Sequence, residues 1–141
     1  MIVLDTDVVS ALMRREPDPA IVSWVDRQPY DTIWTTAITI FEIRFGLELL
    51  PPSRRRRQLE DAFARAMRDG FPGRILPFEE DAASRAAEEA ARRQRSGQRV
   101  DFRDVEIAGI VATRDATLAT RNVRHFQDLG ITLVNPWKDS A

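Results

Sequence analysis

Acidic and amide side chains recur in this chain at the edges of apolar runs, where a fold could gather them into one cleft. Asp5 stops the run Ile2-Val3-Leu4, and Asp7 follows two residues later. Glu42 interrupts an apolar helical stripe, Asp104 stands near the start of a later helical stretch, and Thr120-Arg121-Asn122 closes the run Thr117-Leu118-Ala119. Carboxylates that converge repel one another, and a hard divalent cation relieves that repulsion. Oxygen donors, with no cysteine and no histidine pair in the chain, favour magnesium or manganese over zinc. Magnesium held by two or three carboxylates and several waters suits phosphoryl chemistry, because it acidifies a water and offsets the charge of the transition state.

The elements that must position these groups can be read in order. Ile2-Val3-Leu4 has the composition of a strand buried on both faces. Helical spacing follows, with Thr6 or Asp7 expected as its cap. Asp5 then falls at the carboxyl end of a parallel strand, where open α/β sheets bind ligands. Thr32 to Thr35 reads as a second strand. Thr35 or Thr36 caps a helix to about Leu50, with Ile38, Phe41, Phe45 and Leu49 expected as its buried face and Glu42 on the same stripe. Four arginines, Arg54 to Arg57, open the next helix and are expected to be solvated, with ion pairs to Glu60 and Asp61.

Arg74 to Pro77 reads as a third strand. Glu79 to about Ser96 reads as a helix whose charges serve solvation. Asp101 is a good N-cap for the following helix. Asp104 shares a face there with Ile107, Ala108 and Val111, so its carboxylate is expected in the cleft. Thr117 to Thr120 is a fourth strand, Val123 to Asp128 a short helix stopped by Gly130, and Ile131 to Val134 a fifth strand. Strands alternating with helices imply a parallel sheet with right-handed crossovers. A single domain over residues 1–141 is expected, without internal repeats.

Composition narrows the class further. At 141 residues and 43% hydrophobic, the chain suits one soluble globule. No apolar run approaches the roughly 20 residues that span a bilayer. The opening residues lack a basic region and apolar core of a leader, so a cytoplasmic location is expected. The net charge of −1 gives no global attraction to nucleic acid, but Lys138 is the only lysine among 21 basic residues. Arginine is the better phosphate clamp, though a GC-rich genome produces the same bias.

Taken together, the chain resembles the PIN-domain ribonucleases, and within them the VapC-type toxins of type II toxin–antitoxin pairs, on the FitB-like branch. The likeness is carried by Ile-Val-Leu-Asp-Thr-Asp at the start, Ala-Ile-Thr-Ile-Phe-Glu-Ile-Arg-Phe-Gly around Glu42 and Gly-Arg-Ile-Leu-Pro-Phe from Gly73. Asp104-x-x-Ile-Ala, Leu-Ala-Thr-Arg-Asn from Leu118 and Val-Asn-Pro-Trp near the end complete it. The resemblance implies a PIN-like α/β/α sandwich around a short, mostly parallel five-stranded sheet. It also implies a homodimer, magnesium-dependent endoribonuclease activity with manganese as a substitute, and inhibition by a VapB-type antitoxin. Asp5, Glu42 and Asp104 match the family's catalytic acids. On this reading Asp5 and Asp104 hold the metal, and Glu42 positions or deprotonates the attacking water.

Three positions depart from the family pattern. Asn122 stands where many members have an aspartate, and Asp7 stands where an asparagine or serine is common, which would restore the missing charge. His125 replaces an aspartate that often precedes the phenylalanine of this loop and is read as surface. Thr120 is expected to donate to an acid or to a metal-bound water. Arg121 and Arg124 are candidates for RNA phosphate contacts. A phosphoacceptor receiver domain is excluded, because it needs a lysine at the end of its last strand and Lys138 lies beyond it. A DNA-directed nuclease of the same fold is a weaker reading. The main alternative is a catalytically weak or inactive PIN-fold protein that acts as a regulatory module with its antitoxin and DNA.

Overall fold

The computed structural model describes residues 1–138; the last three residues of the expected 1–141 unit lie outside the described residues. Its sheet has strands β1 (Ile2–Leu4), β2 (Ile33–Thr36), β3 (Ile75–Leu76), β4 (Thr117–Ala119) and β5 (Thr132–Val134), in the order β3-β2-β1-β4-β5. Every pairing between them is parallel. Six helices flank it: α1 (Thr6–Met13), α2 (Pro19–Asp26), α3 (Ala37–Glu48), α4 (Arg54–Gly70), α5 (Glu80–Arg95) and α6 (Phe102–Thr113).

Strand alternation splits the core into two layers, as expected for an α/β/α sandwich. Val3 and Leu118 pack with Ala86, Ile107 and Ile110 of α5 and α6. Their neighbours Leu4 and Ala119 point the other way, onto Val8, Ile21, Ile43 and Phe63. With hydrophobic residues on both faces, the central strands have no polar face, which explains the unbroken apolar run of β1.

The sheet order places a switch point at β1. The chain leaves β1 to build β2 and β3 on one side, then returns to add β4 and β5 on the other. The crevice beyond the carboxyl ends of β1 and β4 is where such sheets bind ligands. Asp5 and Thr120 follow those two strands, and the Asp5 N–H donates to the Ala119 carbonyl at 2.9 Å. Gly109 sets the position of α6: a Cβ there would lie 2.4 Å from the Ala82 carbonyl oxygen. Any side chain would push α6 off α5 and carry Asp104 with it.

Four local expectations are corrected. The cap of α1 is Asp5 itself, whose Oδ1 accepts from the Thr6 N–H at 2.8 Å, and Thr6 and Asp7 are the first helical residues. In α3 the buried face is Thr39, Ile43 and Leu47, whereas Phe41, Phe45 and Leu49 are 58%, 50% and 70% exposed. The helix is apolar on two sides, and hydrogen bonds decide its rotation. Thr36 caps the Thr39 N–H at 3.1 Å, and the Thr6 hydroxyl donates to the Thr39 hydroxyl at 3.1 Å, turning a polar residue inward.

The third and fourth corrections concern α5 and the loop after β4. Val123 to Asp128 forms only a one-turn 3-10 helix at Val123–His125. Arginines of α5, expected merely to face solvent, take the loop's carbonyls instead. Arg93 donates to the His125 carbonyl, Arg92 to that of Asp128 at 2.8 Å and Arg85 to that of Leu129 at 3.0 Å. Arg93 is 6% exposed, and its guanidinium also bonds both carboxylate oxygens of Asp128, at 2.8 and 3.1 Å. On α4, Arg56 alone of the four-arginine run is drawn inward, onto Glu60 and Glu48 at 2.9 Å each. Arg54, Arg55 and Arg57 remain exposed.

Candidate active site

Asp5 is the centre of the site. It is 6% exposed, and its Oδ2 accepts from the Thr120 hydroxyl at 2.8 Å. That hydroxyl in turn accepts from the Asn122 N–H at 3.0 Å, so the β4 end holds Asp5 through one short relay. Burial pushes the Asp5 carboxyl up to about 7, and the charge of Asp7 adds to the rise. Glu42 adds a smaller repulsion. No cation is bonded to Asp5 among the described residues.

Asp7 lies beside it on α1. Its Oδ2 accepts from the Arg121 N–H at 2.9 Å and reaches the Thr120 hydroxyl at 3.5 Å. Its Oδ1 is buried with no hydrogen-bond partner among the described residues. Burial raises this carboxyl too, against the backbone donors that favour its charge. A buried carboxylate oxygen left bare is costly and calls for an external donor or cation.

Glu42 enters from α3 with its side chain 21% exposed. Burial is the largest cause of its raised pKa, and Arg103, 3.9 Å away, partly opposes it. Asp104 also repels Glu42, which links the α6 acid electrostatically to the group around Asp5. Asp104 is itself raised by burial and then by Asp101. His125 approaches it, with Nδ1 3.4 Å from Asp104 Oδ2. The acids expected to converge therefore do influence one another, and each is raised from its ordinary value, chiefly by burial.

Donor type and charge both fit a divalent cation. Several desolvated carboxylates repel one another near the ends of β1 and β4, and one buried oxygen lacks any partner among the described residues. Among the described residues no three acids or imidazoles converge closely enough to form a ligand cluster alone. An ion here would thus rest on one or two carboxylates and keep several waters, as magnesium does.

Two open grooves meet at Arg124 and His125, and one of them reaches Asp104. One, of about 740 Å³, is lined by Arg99, Phe102, Arg103 and Asp104 and shares Arg124 and His125 with the other. The second, of about 650 Å³, includes Arg121, Asn122, Trp137 and Lys138. Asn122 contributes through its backbone, and Arg124 is exposed on the ridge between the grooves. Sequence reasoning missed His125 and Arg103 as neighbours of the acids. Their signal was proximity: Arg103 adjoins Asp104, and His125 lies in the loop that starts at Thr120.

Comparison with known proteins agrees with this geometry. The PIN domain pattern matches residues 2–131. This chain belongs to the PIN-domain family. Within it, the chain is 36% identical over 138 residues to the VapC ribonuclease Y4jK of Sinorhizobium fredii, covering 98% of this chain and 99% of that one. It is 32% identical over 139 residues to Toxin FitB of Neisseria gonorrhoeae, covering 99% and 100%. The solved structure of FitAB bound to an IR36 DNA fragment superposes with a TM-score of 0.85 at 31% identity, covering 97% of this chain and 96% of that one. The expected VapC-type, FitB-like placement of this PIN domain is thereby borne out, as is its sandwich fold.

Proposed function

We propose that this PIN domain, spanning residues 1–141, is a metal-dependent endoribonuclease and the toxin of a VapBC-type toxin–antitoxin pair. The observation that carries the reading is the crevice at the β1/β4 switch point, where buried acids have raised pKa values and Asp7 Oδ1 has no partner. Asp5 and Asp104 would hold magnesium, with manganese as a substitute. When bound, the ion supplies charge that offsets the negative charge building on the phosphoryl oxygens and acidifies the attacking water. Thr120 orients Asp5, and Asp7 adds the negative charge that Asn122 does not supply.

Glu42 acts on the water. Its pKa, raised by burial, brings it nearer to neutrality and makes it a better proton acceptor than a free glutamate. It takes a proton as the water oxygen bonds to phosphorus. The phosphorus bond to the leaving ribose oxygen then breaks, and that oxygen is protonated from solvent. Arg121 and Arg124 line the groove beside this site, and Arg124 contacts a flanking phosphate.

A VapB-type antitoxin and a second copy of the chain are its proposed protein partners, supported by family membership. The exposed Phe41–Phe45 pair on α3, stacked at 6.0 Å between centroids, is apolar surface of the kind a protein partner covers. A cytoplasmic location is proposed with the nuclease reading, since that is where an RNA substrate is met. No described helix is long and apolar enough to cross a membrane. A regulatory, non-catalytic reading draws support from Asn122 and from the DNA-bound state of FitAB.

Incubation with total bacterial RNA in magnesium, manganese or EDTA, with Asp5→Ala alongside, tests the choice. Discrete metal-dependent ends absent from the variant are expected. Absence of new ends in either metal, despite measurable manganese binding, would favour the regulatory reading.

A further inference from the structure

Beyond the acids, the crevice has one feature that metal chemistry leaves unused. Arg121 follows Thr120 directly, and its backbone N–H is tied to Asp7. Its side chain leaves the acids and lies over Trp137, with the guanidinium carbon 5.0 Å from the ring centroid. Trp137 is fixed in turn: its N–H donates to Asn135 Oδ1 at 2.9 Å, and the Lys138 N–H closes the turn on the Asn135 carbonyl at 3.0 Å. Trp137 is half-buried against the core, while Arg121 and Lys138 are exposed. All three line the 650 Å³ groove, which contains no aspartate or glutamate and adjoins the acids only through Arg121 and Asn122 at the end of β4.

The Trp137 ring carries the Arg121 guanidinium over its face within this groove. A planar cation of that kind stacks on a nucleobase and needs no particular base edge. An arginine serving only as a phosphate contact gains nothing from an aromatic support, since a mobile charge would do. We infer that Arg121, backed by Trp137, is a base-stacking subsite for single-stranded RNA one step from the cleaved phosphodiester, with Lys138 taking the adjoining phosphate. This rests on the nuclease reading and adds to it a requirement for an unpaired nucleotide beside the cut.

The test measures binding of short single-stranded and duplex RNA oligonucleotides by anisotropy in EDTA, where binding is scored without cleavage. Arg121→Ala is expected to weaken single-strand binding roughly 10-fold, the scale of one lost base stack. Arg121→Lys keeps the charge but loses the plane, and should weaken it nearly as much. Trp137→Phe, which keeps an aromatic ring against the core, should retain most of the affinity. Trp137→Ala, checked for folding by circular dichroism, should match Arg121→Ala, and the double variant should lose little more. Wild-type affinity in Arg121→Lys would make Arg121 a plain charge contact and overturn the stacking subsite. Equal loss for duplex and single strands would overturn it as well. If the parent protein binds and cuts RNA while the variants match it, the subsite alone fails; if the parent neither binds RNA in EDTA nor cuts it in magnesium or manganese, the nuclease reading fails with it.

Discussion

Asp5 and Asp128 are the same side chain in opposite circumstances, and the loop from Thr120 to Leu129 adjoins both. Asp128 meets two arginines: Arg93 grips both its oxygens, and Arg92 lies 3.0 Å away. These bonds hold its carboxyl down at about 2. Asp5 meets a hydroxyl, a backbone N–H and two further acids, and it stands at about 7. The fold could neutralise an acid with arginine, as its α5 side demonstrates. At the switch point it does not. Where a carboxylate serves only to fasten a loop it is paired; where it faces the crevice it is left short of positive charge, which an incoming cation can supply.

The strongest way to break this contrast is to remove an acid of the crevice and find the chemistry unharmed. Asp104→Asn preserves the shape of α6 but takes away the charge that would hold the ion. RNA cleavage should fall by about 10³-fold or more, with the circular dichroism spectrum and melting curve nearly unchanged. Comparable cleavage by variant and parent would remove Asp104 from the site. The paired acid should behave in the reverse manner. Asp128→Ala strands the buried Arg93 guanidinium and should destabilise the protein by about 2–3 kcal/mol, below the about 3–5 kcal/mol of a fully buried pair because a third of the Asp128 side chain meets water. Urea denaturation gives the value, and faster amide exchange over residues 125–129 locates it. A cost near zero would mean that the clamp is ornamental.

How much of this contrast was legible beforehand depends on the kind of signal. The strands, the parallel sheet and the acids at Asp5, Glu42 and Asp104 all announce themselves locally, through an apolar run broken by a carboxylate or a stripe with one charge in it. The clamp does not. Arg85, Arg92 and Arg93 sit in an alanine- and arginine-rich helix with the composition of a solvated surface, and their partners lie 32 to 44 residues away. The same limit misplaced the buried face of α3. Its two apolar stripes are alike in sequence, and the choice falls to Thr6, on another helix, reaching Thr39. His125 is exposed, as its sequence context indicates, but nothing in that context reveals that Asp104 of α6 comes within 3.4 Å.

The gentlest test uses one substitution at both positions and reads only stability. Asp5→Asn keeps a capping oxygen for the Thr6 N–H and turns its amide NH2 toward the Thr120 hydroxyl, which then accepts instead of donating, yet removes the buried charge. The sign follows from proton affinity. The Asp5 carboxyl binds its proton more tightly in the folded chain than at the ordinary value of 3.8, so the metal-free protein is favoured at low pH. That advantage is lost as pH rises from about 4 through about 7. At pH 8, then, metal-free Asp5→Asn should be more stable than the parent by about 1–2 kcal/mol, and its stability should vary less across that window. Asp128 runs the other way: its carboxyl is depressed, so its contribution is complete above about pH 4 and fades only as pH falls toward about 2. Asp128→Asn should therefore destabilise at pH 8, and the two variants should differ in sign. Adding manganese at pH 8 should raise the melting temperature of the parent and leave that of Asp5→Asn nearly fixed. Destabilisation by both substitutions would mean that Asp5 is a structural acid like Asp128 and that its burial is not held open for a cation.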